Sequence, residues 1–221
     1  MFNFFGKYTE EDILTKFVNT THSVLVVGPF GGYGSQEFEK SDEYGGFGND
    51  PIIPLLIRKI KNNNLTVIDI KGGVHTPSNI FAPFEGDLYR TKETIDKLFN
   101  HSTIKYVITD ALDSSFKGET FDIIIDRITH EFICLVGYKL RFRENNLDRL
   151  VYEYNRILKK GGKIIFFSRR WFMHRRVYKK LKMWDYKLIK GSMKKAKKYT
   201  IDKTMNKPFY KSRFYIVAFK V

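Results

Sequence analysis

A chain of 221 residues, 43% of them hydrophobic, is long enough for one well-cored domain and leaves little for a second. Its single cysteine, Cys134, excludes a disulfide framework and a cysteine-rich zinc site, and no run of about 18 apolar residues offers a membrane span. The formal net charge of +15 is unevenly placed: residues 169–221 hold 18 Lys and Arg against two acids, a balance of +16, whereas residues 1–168 balance at −1. A neutral body with a cationic C-terminal part suits a polyanionic partner, nucleic acid ahead of a membrane surface; a lysine-rich solvated face is the alternative. The opening MFNFFGKYTEED lacks a basic segment followed by an apolar core, so no secretory signal is expected and a cytoplasmic location is.

Thr9 opens a helix signal, with Glu10, Glu11 and Asp12 in the first turn, a Thr9-x-x-Asp12 capping box and an apolar face of Ile13, Leu14, Phe17 and Val18. Val24–Val27 reads as a strand buried on both faces, and it empties into Gly28, Pro29, Phe30, Gly31, Gly32, Tyr33 and Gly34. Glycine there allows close backbone approach to a ligand, and in α/β sheets ligands lie beyond the carboxyl ends of the strands. The polar stretch 35–50 and a helix over 52–61 follow. Residues 65–70 predict a second strand, 71–90 a Gly/Pro-rich loop and 91–100 a helix, and 105–109 a third strand closed by Asp110. Residues 121–126 (FDIIID) predict a fourth strand. The clearest amphipathic helix runs over 146–160, ended by Gly161-Gly162. A fifth strand is expected over 163–168, a basic helix over 175–184, and two last strands over 186–189 and 213–220 with no helix between them.

Strands alternating with helices predict a Rossmann-like, doubly wound, mainly parallel α/β sheet of seven strands, with helices on both faces and a C-terminal antiparallel pair at its edge. The whole of 1–221 reads as one domain, with an N-terminal helical segment over 1–20 and a basic C-terminal part over 169–221. Cys134 sits in an apolar run and is expected to be a small buried hydrophobe.

The order of motifs, above all FDIIIDR and RILKKGGKIIFFS, resembles the class I S-adenosylmethionine-dependent methyltransferases over roughly residues 20–221. That resemblance implies S-adenosylmethionine as cofactor. The backbone from Gly28 through Pro29, Phe30, Gly31 and Gly32 would approach its methionine and ribose portion. Asp69 would accept the ribose hydroxyls. Asp110 and Ala111 would meet the adenine edge, and Asp126 with the segment to Glu131 would face the methyl group and the acceptor. The chain departs from the family in two places: the acid usual two residues before the first glycine is Val26 here, and Asp69 lies about forty residues beyond Gly28, roughly twice the usual spacing, which the inserted loop accounts for.

His130 has the intrinsic pKa of a general base, with Asp126 or Glu131 to orient it, or else packs locally. The motifs of DNA amino-methylation and cytosine-C5 chemistry are absent, and the tetrad of RNA ribose methyltransferases is incomplete. Arg169, Arg170, Arg175 and Arg176 lie among Trp171 and Phe172, of which one is expected in the core, and suit phosphate contacts with base stacking. Lys194, Lys195, Lys197 and Lys198 suit sequence-independent attraction of a backbone. The expectation is therefore a methyltransferase acting on nucleic acid, RNA ahead of DNA, with neither a metal nor a membrane partner. A methyltransferase-like subunit without activity, a methyltransferase of small molecules or proteins, and a dehydrogenase are the alternatives.

Overall fold

The computed structural model describes residues 8–27, 55–56, 59–60, 64–69, 104–127, 129–136, 141–142, 144–193 and 212–221. The glycine stretch from Gly28 to Gly32, both long loops, most of the helix expected over 52–61, the helix expected over 91–100, and Lys194, Lys195, Lys197 and Lys198 lie outside them; within 52–61, residues 55–56 and 59 are helical.

Helix α1 (Glu10–Phe17) starts where the capping box predicts: the Thr9 hydroxyl accepts from the Asp12 N–H, and the Asp12 carboxylate accepts from the Thr9 N–H at 2.7 Å. The strands follow as β1 (Val24–Val27), β2 (Leu65–Asp69), β3 (Ile104–Ile108) and β4 (Phe121–Arg127). After α2 (Thr129–Cys134) comes a two-stranded ribbon of β5 (Leu135–Val136) and β6 (Arg141–Phe142). Helix α3 (Glu144–Ile157), β7 (Leu158–Ser168), α4 (Trp171–Met183), β8 (Lys187–Ser192) and β9 (Phe214–Phe219) complete the described chain. Among the described residues no helix is long and apolar enough to cross a membrane.

The mixed sheet runs β3-β2-β1-β4-β7-β9-β8, parallel as far as β7, with β9 antiparallel to both of its neighbours. The chain's last strand thus inserts between β7 and β8. Burial explains the order: β9 (FYIVAF) is buried along most of its length, whereas β8 (KLIKGS) carries exposed lysines that suit an edge.

Side-chain alternation divides the core into two layers. Ile124, Ile164, Phe166, Ile216 and Ala218 face a layer closed by α3 (Leu147, Leu150, Val151, Tyr154, Ile157) and α4 (Met173, Val177, Leu181). Ile123, Ile125, Ile165, Phe167 and Val217 face the other, closed by Ile13 and Leu14 of α1 and by Leu56. Helices therefore cover both faces, and Cys134 lies in the first layer, where burial pushes its thiol up to about 12.

Several boundaries differ from the sequence reading. Helix α3 ends at Ile157, not 160, because Leu158 already pairs with Phe121 and the two glycines sit in a bulge of β7. Gly161 takes φ +72° there, and the Lys220 ammonium donates to the Asn155 and Leu158 carbonyls at the helix end. Helix α4 begins at Trp171, four residues earlier than expected, and both Trp171 (50% exposed) and Phe172 (41%) lie at the surface, so neither is the predicted core residue. Its C-terminus closes with a Schellman arrangement, Tyr186 N–H to the Leu181 carbonyl and Asp185 N–H to that of Lys182, which holds Asp185 at φ 57°.

Candidate active site

The carboxyl ends of β1, β4 and β7 converge on one buried polar network. The parallel register sets Val27 beside Asp126 and Asp126 beside Phe166, so three adjacent strands finish together. Asp126 is fully buried, and a buried carboxylate is tolerable only when its oxygens have donors. One oxygen lies 3.0 Å from His130 Nδ1 and accepts from the His130 N–H at 3.2 Å; the other accepts from the Tyr154 hydroxyl at 2.9 Å. His130 Nε2 lies 3.0 Å from Ser168 Oγ at the end of β7, and its ring meets Phe166 edge-on. Burial works to lower the His130 pKa, but the adjoining Asp126 carboxylate and then Glu131 raise it above its ordinary 6.5. Tyr154 is held well above its usual range by burial and by the same carboxylate, so it stays a hydroxyl donor.

Asp126 and His130, the residues expected to face the methyl group and acceptor, are thus brought together at the strand ends. Both carboxylate oxygens and both ring nitrogens are already engaged inside the fold, which turns the pair into a brace between β4, α2, α3 and β7. The neighbouring side chains extend it. The Thr129 hydroxyl donates to the Val27 carbonyl at 2.8 Å, at the residue where β1 gives way to the glycine stretch. Glu131 accepts from the backbone N–H groups of Arg169 and Arg170 at 2.7 and 2.8 Å, supplying an anion next to the start of α4. Arg127 pairs with Glu10 at 3.3 Å and so ties α1 to the end of β4.

The sequence reading missed Ser168 and Tyr154. Ser168 follows Ile164 and Phe166 at strand period, so alternation along FFS puts it on the His130 face; that signal was present. Tyr154 was legible only as part of the apolar face of α3.

The loop after β3 is equally constrained. Asp110 accepts from the Leu112 N–H at 2.9 Å, its carbonyl accepts from the Asp113 N–H, and Ala111 is buried in the core. Beyond it, the buried Glu153 of α3 accepts from the Ser114 N–H at 2.9 Å and from its hydroxyl, while Arg156 reaches the carbonyls of Phe116 (2.7 Å) and Ser114 (3.0 Å). Asp69 closes β2, in register with Ile108 of β3. Val26, at the position where the resemblance calls for an acid, is fully buried in the apolar layer.

Of the four arginines expected to meet nucleic acid, Arg169 and Arg175 have exposed side chains. Arg170 is partly exposed, with its Nε 3.9 Å from Glu131, and Arg176 pairs with Glu144 of α3 at 2.9 Å. Among the described residues no group of three His, Cys, Asp or Glu side chains is arranged to hold a metal ion.

Residues 85–166 match the family model described as a methyltransferase domain. No curated protein matches the chain in sequence. Among solved structures, a SAM dependent methyltransferase from Aquifex aeolicus is 14% identical with a TM-score of 0.57, over 97% of this chain and 90% of that one. A Pyrococcus horikoshii protein is 14% identical with a TM-score of 0.53, over 97% and 94%. A SAM-dependent O-methyltransferase from Thermotoga maritima is 10% identical with a TM-score of 0.54, over 95% of this chain but 63% of that one. At these identities the likeness is one of fold.

Proposed function

We propose that the chain is a class I S-adenosylmethionine-dependent methyltransferase and that the acceptor of its methyl group is a nucleic acid, RNA ahead of DNA; the match of residues 85–166 to a methyltransferase domain supports the first part. The observation that carries the methyltransferase reading is the match of residues 85–166 on a sheet whose β1, β2 and β3 end side by side. We read Asp69, which closes β2 in register with Ile108, as the acceptor of the ribose hydroxyls, and the fixed turn at Asp110 as the edge that meets adenine. When bound, the cofactor supplies an electrophilic methyl group on a sulfonium. The chain's own part is to hold donor and acceptor in line, with the Asp126–His130–Ser168 brace fixing the strand ends that flank the transfer.

The nucleic-acid reading rests on charge: the C-terminal part carries +16 against −1 for the rest. A polyanion gains from that field whatever its sequence. One observation favours a second reading, a subunit without activity: Val26 leaves the amino end of the cofactor without its usual carboxylate.

Thermal unfolding with S-adenosylhomocysteine tests the enzyme reading, since a ligand that binds only the folded state raises the midpoint. We expect a rise that shrinks in Asp110→Ala and shrinks further in Asp69→Ala. No rise at millimolar ligand, with the protein folded, would leave the inactive subunit. Transfer of a labelled methyl group from S-adenosylmethionine to total RNA, and not to protein, is expected for the acceptor.

A further inference from the structure

The basic residues of α4 fall into two sets with different surroundings. On the flank toward α3, Arg176 pairs with Glu144, and Lys180 pairs with Asp148 and Glu144. Next to that flank, Met173, His174, Val177 and Leu181 are buried against the sheet. Opposite this buried face lies a third strip of exposed residues, Phe172, Arg175, Lys179 and Lys182, at spacings i, i+3, i+7 and i+10. Those intervals share one helical face, and among the described residues no carboxylate pairs with any of the three cations. A face whose charges have no carboxylate partner among the described residues, beside a flank neutralised by α3, suits an external anion.

The dimensions select the anion. At about 1.5 Å per residue, Arg175 and Lys179 stand about 6 Å apart along the axis and Lys179 and Lys182 about 4.5 Å. Both exceed the rise of about 3.4 Å per nucleotide in a stacked duplex strand, and both suit the longer steps of an unstacked one. An unstacked strand also has free base faces, and the strip begins with the exposed ring of Phe172, beside Trp171, which stacks on His174. Helix α4 leaves β7 through residues 169–170 at the carboxyl end of the sheet, so the aromatic end of the strip is the end next to the candidate active site.

We infer that the strip Phe172–Arg175–Lys179–Lys182 is a track for one unstacked nucleic-acid strand, with phosphates on the cations and a base on Phe172, leading its next nucleotides toward the site of methyl transfer. The inference rests on the nucleic-acid acceptor proposed above and specifies its form and its path.

The test is anisotropy of a labelled twelve-nucleotide oligouridine titrated between about 50 and 200 mM salt. Arg175→Gln/Lys179→Gln/Lys182→Gln should flatten the plot of log affinity against log salt by about two units, since each lost single-strand phosphate contact removes about 0.7. A charge-matched control, Lys105→Gln/Lys117→Gln/Lys160→Gln, should leave the slope near that of the parent. Phe172→Ala should weaken binding roughly five- to a hundredfold at fixed salt. Equal slopes for the triple variant and its control would overturn the track. So would tighter binding of a duplex of equal length, or a strip-dependent retention on phosphatidylserine vesicles in place of the oligonucleotide. The S-adenosylhomocysteine shift is measured on the same proteins. A normal shift without strip-dependent binding removes the track and spares the methyltransferase. Strip-dependent binding without a shift removes the methyltransferase and leaves the track.

Discussion

His130 Nε2 and Ser168 Oγ meet at 3.0 Å across the ends of α2 and β7, and neither side chain is exposed. With Asp126 on the other ring nitrogen the three residues have the connectivity of a hydrolytic triad, but burial makes them a brace. Its parts should differ in cost. Ser168→Ala leaves one ring nitrogen without a partner and should cost about 1–3 kcal/mol of unfolding free energy. His130→Leu strips Asp126 of a donor and leaves a buried charge, at about 3–5 kcal/mol. Urea denaturation measures both, and a smaller loss in His130→Leu than in Ser168→Ala would contradict the assignment.

Two buried histidines respond to pH in opposite directions. His130 has a folded pKa above 6.5, so its contribution is complete below pH 6.5 and is lost as pH rises through the folded value. His174 is lowered to about 4 by burial, then by Lys190 of β8 and by His130. The unfolded chain takes up that proton near pH 6.5 and the folded one does not, so stability falls as pH drops from 6.5 toward 4. His174 Nδ1 is buried with no hydrogen-bond partner among the described residues, its ring lying against Trp171 and Phe214. His174→Phe should therefore remove that acid-side loss, on the order of 3 kcal/mol at its full extent. Parallel unfolding curves of parent and variant between pH 4 and 7 would show the opposite.

Glu153 and Arg156 hold the loop on which Asp110 and Ala111 sit. Arg156→Ala should leave the Glu153 carboxylate buried without its charge partner and cost about 2–4 kcal/mol. Because the loop borders the proposed adenine edge, the same change should weaken S-adenosylhomocysteine several-fold, and Arg156→Lys, which keeps the charge but not the fork, should restore stability better than affinity. Burial works to raise the Glu153 pKa, but the hydrogen bonds from Arg156 and Ser114 hold it below the usual 4.5. Its contribution is therefore present above pH 4.5 and is lost as pH falls through the lower folded value. Calorimetry of ligand binding at pH 7 checks the first part; an unchanged affinity in Arg156→Ala would detach the loop from the cofactor.

Local rules determined much of this protein. The Thr9–Asp12 box, the buried run of β1, the apolar run in FDIIIDR and the amphipathic face of α3 are each written within a few residues, so each could be read before any contact was known. Burial from both sides is what makes β1 and the Ile123–Ile125 run of β4 apolar, and that pattern does not depend on which strands are neighbours. The tertiary structure decided what periodicity does not encode. The insertion of β9 between β7 and β8 depends on pairing residues some fifty positions apart. The roles of Asp126 and His130 depended on Ser168 and Tyr154, distant in sequence and unremarkable there. A carboxylate and an imidazole read alike as reactive or structural until their partners are known, because burial and hydrogen bonding, not residue type, determine which groups remain available for chemistry. The same holds for α4: five arginines and lysines lie on two of its flanks, and only Glu144 and Asp148 of α3 distinguish the neutralised cations from those facing outward.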